Sequence, residues 1–378
     1  MKFEPFYNPE ISYEENFEKG PFGAFGDGKV LENGNKEKYD FFRLKVNSPF
    51  GIPAGPLING NFVKAALDKG FDIVTYKTVR SEKYPSHPWP NVLAVDIEGD
   101  LTLEKASGHL IANRDYSAPL SITNSFGVPS LEPEYWQKDL KEAVEHARKG
   151  QVVIGAFQGT KKEGQTAEEY INDYRVTARM LLKTGVKVIE VNLSCPNEGT
   201  SHLLCYDTER SVIVVKVIKE EIGDIPLIIK IAYMGEEVLE EFVGKLGPMV
   251  DGISAINTIP AEVVDDEGNQ ALPGEGRARS GVCGHAIKWA GLDMVKKLKK
   301  LQLLVSSDDK EKQLKLQQIE NQIKAEISDF DDCGDFLTFI CWQGVLFKEK
   351  FPLDVRHNIK IDRPILAEYA EAHQAELQ

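Results

Sequence analysis

A thiol set between two carboxamides is the most chemically suggestive arrangement in the chain: Asn192-Leu193-Ser194-Cys195-Pro196-Asn197. Proline restricts the residue before it to extended backbone, so Cys195 is held in one geometry. Each carboxamide both donates and accepts hydrogen bonds. Such a pair suits a polar, uncharged ring, and a thiolate between them suits removal of a proton. A free thiol has a pKa of about 8.5, so it needs a downward shift or high pH to work as a base. The plainer reading of the hexapeptide is a strand exit capped by asparagine, and the short motif alone leaves both open.

Other chemistry-bearing residues recur at comparable places: Ala54-Gly55, Lys77-Thr78, Asn124-Ser125, Lys230, Asn257-Thr258, and Ser280-Gly281 with Gly284. Each has a structural counterpart reading. The glycines can serve turns or open a helix, the lysines can reach outward to solvent, and the asparagines can cap or turn the chain. A cysteine can be a small buried apolar residue, which is the reading for Cys205 and Cys283.

The elements that must position these residues alternate. Short apolar runs at 50–54, 71–76, 152–157, 186–191, 226–231 and 250–256 read as strands. Helical patterns lie at 61–69, 134–149, 208–222 and 236–245, with another from Thr166 to about Thr184. Thr166 with Glu169 three residues on is a capping-box signature. The stretch from Val79 to about Gly127 reads as a long excursion. The glycine- and arginine-rich stretch 273–284 reads as a loop leading into a helix over 285–301. Six strand–helix units in series predict an α/β fold with a parallel sheet. A doubly wound sheet and a TIM (β/α)8 barrel share this period. Gly55, Lys77, Asn192, Lys230 and Asn257 fall at the C-terminal ends of different strands, which a barrel gathers on one face. No Gly-x-Gly-x-x-Gly follows the first strand, which disfavours a dinucleotide-binding Rossmann unit.

Bulk properties narrow the classes. The chain has 378 residues, 42% hydrophobic, with a formal net charge of −14. That balance disfavours nucleic-acid binding, which wants a basic face. No apolar run approaches the ~20 residues that cross a bilayer, and the N-terminus has no secretion-signal pattern. The number of cysteines, 5, is odd, and no Cys-x-x-Cys occurs. Neither a disulfide framework nor a structural zinc site is expected, and a reducing cytoplasm fits best.

Taken in order, the motifs resemble those of the dihydroorotate dehydrogenases, in particular the soluble class with a cysteine base. Ala54-Gly55 resembles the family's flavin-contacting turn, and Lys77-Thr78 its Lys-Ser/Thr pair. Asn124-Ser125-Phe126-Gly127 resembles the substrate loop, and the Cys195 hexapeptide the base-bearing loop. Lys230, Asn257-Thr258 and Ser280-Gly281 with Gly284 follow in the family's order. The likeness covers roughly residues 47–301. It implies FMN-dependent oxidation of dihydroorotate to orotate in pyrimidine biosynthesis, with Cys195 as general base and hydride passing to FMN. Lys77, Asn124, Asn192, Asn197, Asn257 and Thr258 would hold the substrate. Ala54, Gly55, Lys77, Thr78, Asn192, Lys230, Ser280, Gly281 and Gly284 would hold the flavin. No metal, nucleic acid or membrane enters this reading; a homodimer in the cytoplasm is the expected assembly.

The tail departs from the family. Family members carry a Gly-Gly turn after strand seven and a glycine-led strand eight, which cradle the flavin phosphate. No Gly-Gly pair follows Leu301, and the nearest echo is the run at 339–345. Strands seven and eight are expected to be divergent or missing. The expected organisation is a lead-in packed outside the fold (1–47), barrel units one to six (48–302) and a mostly helical tail (303–378), with helices at 314–327 and 363–377 and a strand within 335–346. Two alternatives follow: a non-catalytic or FMN-deficient barrel, and a flavin dehydrogenase of another dihydropyrimidine. Asn197 after Pro196 favours the orotate-type ring.

Overall fold

The computed structural model describes residues 5–31, 37–117, 120–194, 203–274, 277–306 and 344–347. Helix α1 (Tyr13–Lys19) opens on a reciprocal capping box between Ser12 and Glu15. A hairpin follows, β1 (Tyr39–Phe41) and β2 (Leu44–Val46). Strand–helix alternation begins with β3 (Gly51–Ile52), α2 (Gly60–Asp68) and β4 (Ile73–Val79). Three strands then interrupt it: β5 (Val92–Val95), β6 (His109–Asn113) and β7 (Ser121–Asn124). It resumes with α3 (Pro133–His146), β8 (Val152–Phe157), α4 (Ala167–Leu182) and β9 (Val188–Asn192). Next come α5 (Thr208–Ile222), β10 (Leu227–Ile231), α6 (Glu236–Leu246) and β11 (Gly252–Ala255). β12 (Ile259–Val264), β13 (Arg279–Gly284), α7 (Lys288–Ser306) and β14 (Gly344–Phe347) complete the described chain.

Strands β3, β4, β8, β9, β10 and β11 pair in that order, all parallel. β8, β9 and β10 are buried along their whole length, as expected of strands covered on both faces. This is the α/β barrel architecture, expressed as six parallel strands of a curled sheet. Its core continues into the buried faces of the helices, with Trp136 and Leu140 from α3, Tyr174 and Leu181 from α4, and Phe242 from α6. The α4 capping box between Thr166 and Glu169 is observed.

Two expectations need correction. The first 47 residues do not all pack outside. Phe6 stacks on Phe25 at 4.8 Å on the outer layer, but Phe41 and Val46 of the hairpin pack with Val152, Ile154, Val188 and Ile228. Val152 and Val188 begin their strands, so the hairpin closes the N-terminal end of the sheet. The excursion at 79–127 and the loop at 273–284 are not structureless. They supply β5, β6, β7 and β13, which join β12 in a second, five-stranded sheet that closes on itself. Two of its pairings, β6 with β12 and β7 with β13, link segments far apart in sequence, so no local period announces them. Finally, the one described strand of the tail, β14, runs antiparallel to β11, with Gly344 opposite Ala255. The helices expected at 314–327 and 363–377 lie outside the described residues. Among the described residues, no helix is long and apolar enough to cross a membrane.

Candidate active site

Side chains alternate across a strand, so Val188, Glu190 and Asn192 of β9 share one face, and Ile228 and Lys230 of β10 share the matching face. Val188 and Ile228 pack on the hairpin at one end, which places Asn192 and Lys230 at the other. Parallel register sets Lys230 between Asn192 and Ser254. Lys230 is 4% exposed, and its Nζ lies 3.5 Å from the Ala54 carbonyl. Three strand ends are thereby tied to the turn after β3. In that turn Gly55 has φ +136°, and the space its missing Cβ would occupy is open. A side chain there would be strained, whereas a flat group can approach the bare backbone.

Asn192 donates from Nδ2 to Gln158 Oε1 at 3.1 Å, and its Oδ1 accepts from Ser194 N at 3.1 Å and Oγ at 2.9 Å. Asn257 donates to the Ser194 carbonyl at 3.0 Å and to Oγ at 2.9 Å, so the exits of β9 and β11 are clamped together. Lys77 and Thr78 lie within β4, which runs to Val79, rather than beyond its end. Both are buried. Asn124 ends β7, donating to the Gly281 carbonyl at 3.1 Å and to Cys283 Sγ at 3.6 Å. Burial pushes the Cys283 thiol up to about 12, against the Asn124 hydrogen bond and the nearby Lys230 charge. Cys283 therefore belongs to this neighbourhood, although its thiol stays protonated near neutral pH.

Ser280, Gly281 and Gly284 adjoin this group through Cys283 and through Asn124, which bonds the Gly281 carbonyl. They lie on β13, not in a loop ahead of a helix. Ser280 Oγ bonds Thr123 Oγ1 at 2.6 Å. A Cβ on Gly281 would stand 2.2 Å from Thr258 Oγ1, and one on Gly284 would stand 2.4 Å from the Leu120 carbonyl. Close strand packing accounts for both glycines. Cys195 and Asn197 lie outside the described residues, as do Cys333 and Cys341.

Four further polar residues stand here that motif reading passed over. Glu190 is buried one step below Asn192, and its Oε1 has no hydrogen-bond partner among the described residues. Burial raises its pKa, opposed by Lys230 and a hydrogen bond from Ser254. Its alternation with Val188 and Asn192 was a legible signal. Arg80 is 3% exposed, just past β4, and Gln158 is fully buried just past β8. His87 is half-buried, with Nδ1 3.2 Å from Ser125 Oγ. Burial, then Arg277 and Arg80, hold its pKa down to about 4.

Comparison with known proteins agrees with this geometry. The family model described as dihydroorotate dehydrogenase matches residues 38–304. The chain is 38% identical over 307 residues to a dihydroorotate dehydrogenase of Dictyostelium discoideum, covering 77% of this chain and 81% of that one. It is 28% identical over 217 residues to the catalytic subunit of a dihydroorotate dehydrogenase B (NAD(+)) of Desulforamulus reducens, covering 57% of this chain and 66% of that one. The fold is similar to that of the ligand-free type dihydroorotate dehydrogenase of Eimeria tenella, with a TM-score of 0.53 at 17% identity, covering 72% of this chain and 74% of that one.

Proposed function

Because the chain belongs to the dihydroorotate dehydrogenase family, we propose that it oxidises dihydroorotate to orotate with FMN as its flavin and Cys195 as its base. The family makes it an oxidoreductase acting on CH–CH bonds. The observation that carries the finer reading is Lys230, buried beside Asn192 and reaching the open turn at Gly55.

Those residues fit the ring end of a flavin. Ala54 and Gly55 would lie against the ring, Lys77, Thr78 and Asn192 would meet its polar edge, and Lys230 would stand by with positive charge. Ser280, Gly281 and Gly284 are packed by Thr123, Thr258 and Leu120, so they would contribute strand backbone rather than a phosphate cradle. When bound, FMN supplies the acceptor for a hydride.

The chain's own residues do the rest in this reading. Asn124, Asn192, Asn197, Asn257 and Thr258 hold the amide edges of the substrate ring, and Lys77 faces its carboxylate. A ring lacking those edges leaves buried carboxamides unpaired, which is how such a site discriminates. Cys195 takes the proton from the ring carbon next to the one that loses hydride. In this proposal the reaction runs in the cytoplasm, in a homodimer.

Purified protein should be yellow with stoichiometric FMN, and dihydroorotate should bleach it anaerobically where dihydrouracil does not. Colourless protein unable to take up FMN would favour the flavin-deficient alternative, and bleaching by dihydrouracil the other dihydropyrimidine. Cys195→Ser should keep the flavin and slow its reduction. Reduction of Cys195→Ala at the wild-type rate would sink the base assignment.

A further inference from the structure

Two groups that can only donate stand at the ends of a chain of two carboxamides. One is the Arg80 guanidinium, held by neutral oxygens: Val128 O at 2.9 Å, Gly127 O at 3.2 Å, Gly159 O at 3.2 Å and Thr160 Oγ1 at 3.1 Å. Its face stacks on Tyr84, 4.1 Å from the ring centroid. The other is the Ser194 backbone N–H, 3.1 Å from Asn192 Oδ1. Between them lie Gln158 and Asn192, both buried.

A carboxamide accepts at one end and donates at the other. Two in series cannot offer acceptors to both terminal donors. If Asn192 accepts from Ser194 and donates to Gln158 Oε1, then Gln158 turns its Nε2 onto the guanidinium. If Gln158 turns over, its oxygen accepts from Arg80 Nη2 at 2.8 Å and Nη1 at 3.3 Å. Its Nε2 then sits 3.1 Å from Asn192 Nδ2, and Asn192 must turn as well to accept. Its own Nδ2 is thereby directed to the Ser194 side. In every arrangement of these side chains, one donor is surplus.

Hydrogen bonds to a charged group are roughly twice as strong as neutral ones, so the guanidinium favours the Gln158 oxygen. We propose that Arg80 is a positioning residue that, through Gln158, sets which end of the Asn192 carboxamide faces Ser194, and so whether the Ser194 backbone N–H is left for the substrate. Ser194 Oγ, a hydroxyl, then accepts from Asn192 Nδ2, so the surplus donor is the Ser194 backbone N–H, and an oxygen of the substrate ring takes it. This rests on the dihydroorotate reading for the identity of the ring. It also couples the loop at 127–128, through Arg80, to the strand that leads into Cys195.

Gln158→Glu tests it. A carboxylate accepts at both ends, so it satisfies Arg80 and Asn192 Nδ2 together and removes the surplus donor. It also locks Asn192 with Oδ1 on the Ser194 backbone N–H, which the substrate then loses. The ligand-free melting temperature should rise by about 2 °C or more above wild type. The orotate Kd, read by calorimetry on the flavin-loaded protein, should rise roughly tenfold or more. Gln158→Met, which carries no polarity, should melt below wild type and bind orotate with intermediate affinity. Gln158→Glu that melts at or below wild type overturns the relay, and so does Gln158→Glu that binds orotate as wild type does. Wild type that fails to bind orotate refutes the substrate reading instead; the order of the three melting temperatures needs no ligand and still decides the relay.

Discussion

Acid should destabilise this protein through the imidazole of His87. The ring sits against the 124–128 segment: its Nδ1 is 3.2 Å from Ser125 Oγ, and its backbone N–H donates to the Phe126 carbonyl at 3.0 Å. Gly127 is packed so closely that a Cβ there would lie 2.1 Å from Nε2. Burial, Arg277 and Arg80 hold the pKa at about 4, against about 6.5 in an unfolded chain. Between these values the folded protein keeps His87 neutral while the unfolded chain binds a proton. Stability is therefore full above about pH 6.5, falls as the pH drops, and stops falling below about 4. From pH 7 to 5, linkage over this interval gives a loss of about 2 kcal/mol. The ring is only half-buried, and solvent screening reduces this to about 1 kcal/mol. In a chain of this length that is roughly 1 °C in melting temperature. The assay is a pH series of 13C-histidine NMR spectra, with His87 assigned by His87→Gln, beside melting curves of both proteins at pH 7 and 5. The fall in melting temperature should be smaller in His87→Gln. A His87 resonance that titrates between pH 6 and 7 would refute the reasoning, and so would equal acid sensitivity in the two proteins.

Two further outcomes follow from the packing and the site. Gly51→Ala would place a Cβ 2.0 Å from the Ile73 carbonyl inside the β3–β4 pairing, so it should cost about 2 kcal/mol or more, read as a lower urea midpoint; a wild-type midpoint would show that the two strands can part. Lys230→Met should lower the midpoint potential of bound flavin by roughly 30–60 mV in a spectroelectrochemical titration, because a buried cation then no longer favours the reduced, more negative ring; an unchanged potential would separate Lys230 from the flavin.

What was legible in the sequence is what repeats locally. The 152–157 strand and the 208–222 helix appear with those bounds, and the Thr166–Glu169 cap opens α4, because apolar period and cap chemistry act within a few residues. The strand ends also gathered Asn192, Lys230 and Asn257 as barrel geometry requires. The second sheet was not legible. β6 pairs with β12 through His109 and Glu262, and β7 with β13 through Asn124 and Gly281, partners about 150 residues apart whose short strands carry no period of their own. Arg80 was missed for the same reason. Its meaning lies in carbonyls at 127, 128 and 159, and a carbonyl has no sequence signature.

β14 bears on how a flavin would be held. Its register sets Gly344 opposite Ala255 and Phe347 opposite Gly252. Ala255 ends β11, so the chain enters β14 at the face where Asn192, Lys230 and Asn257 gather, and leaves it at the opposite end. Barrel phosphate sites use the turns that follow strands seven and eight, with the N–H groups of a helix start aimed at the anion. Of the described tail, β14 sets its entry rather than its exit at that face. At the glycines of β13 the side where a Cβ would stand is taken by Thr258 and Leu120. Among the described residues, those that would meet a flavin are therefore the ones at its ring end, around Gly55, Asn192 and Lys230.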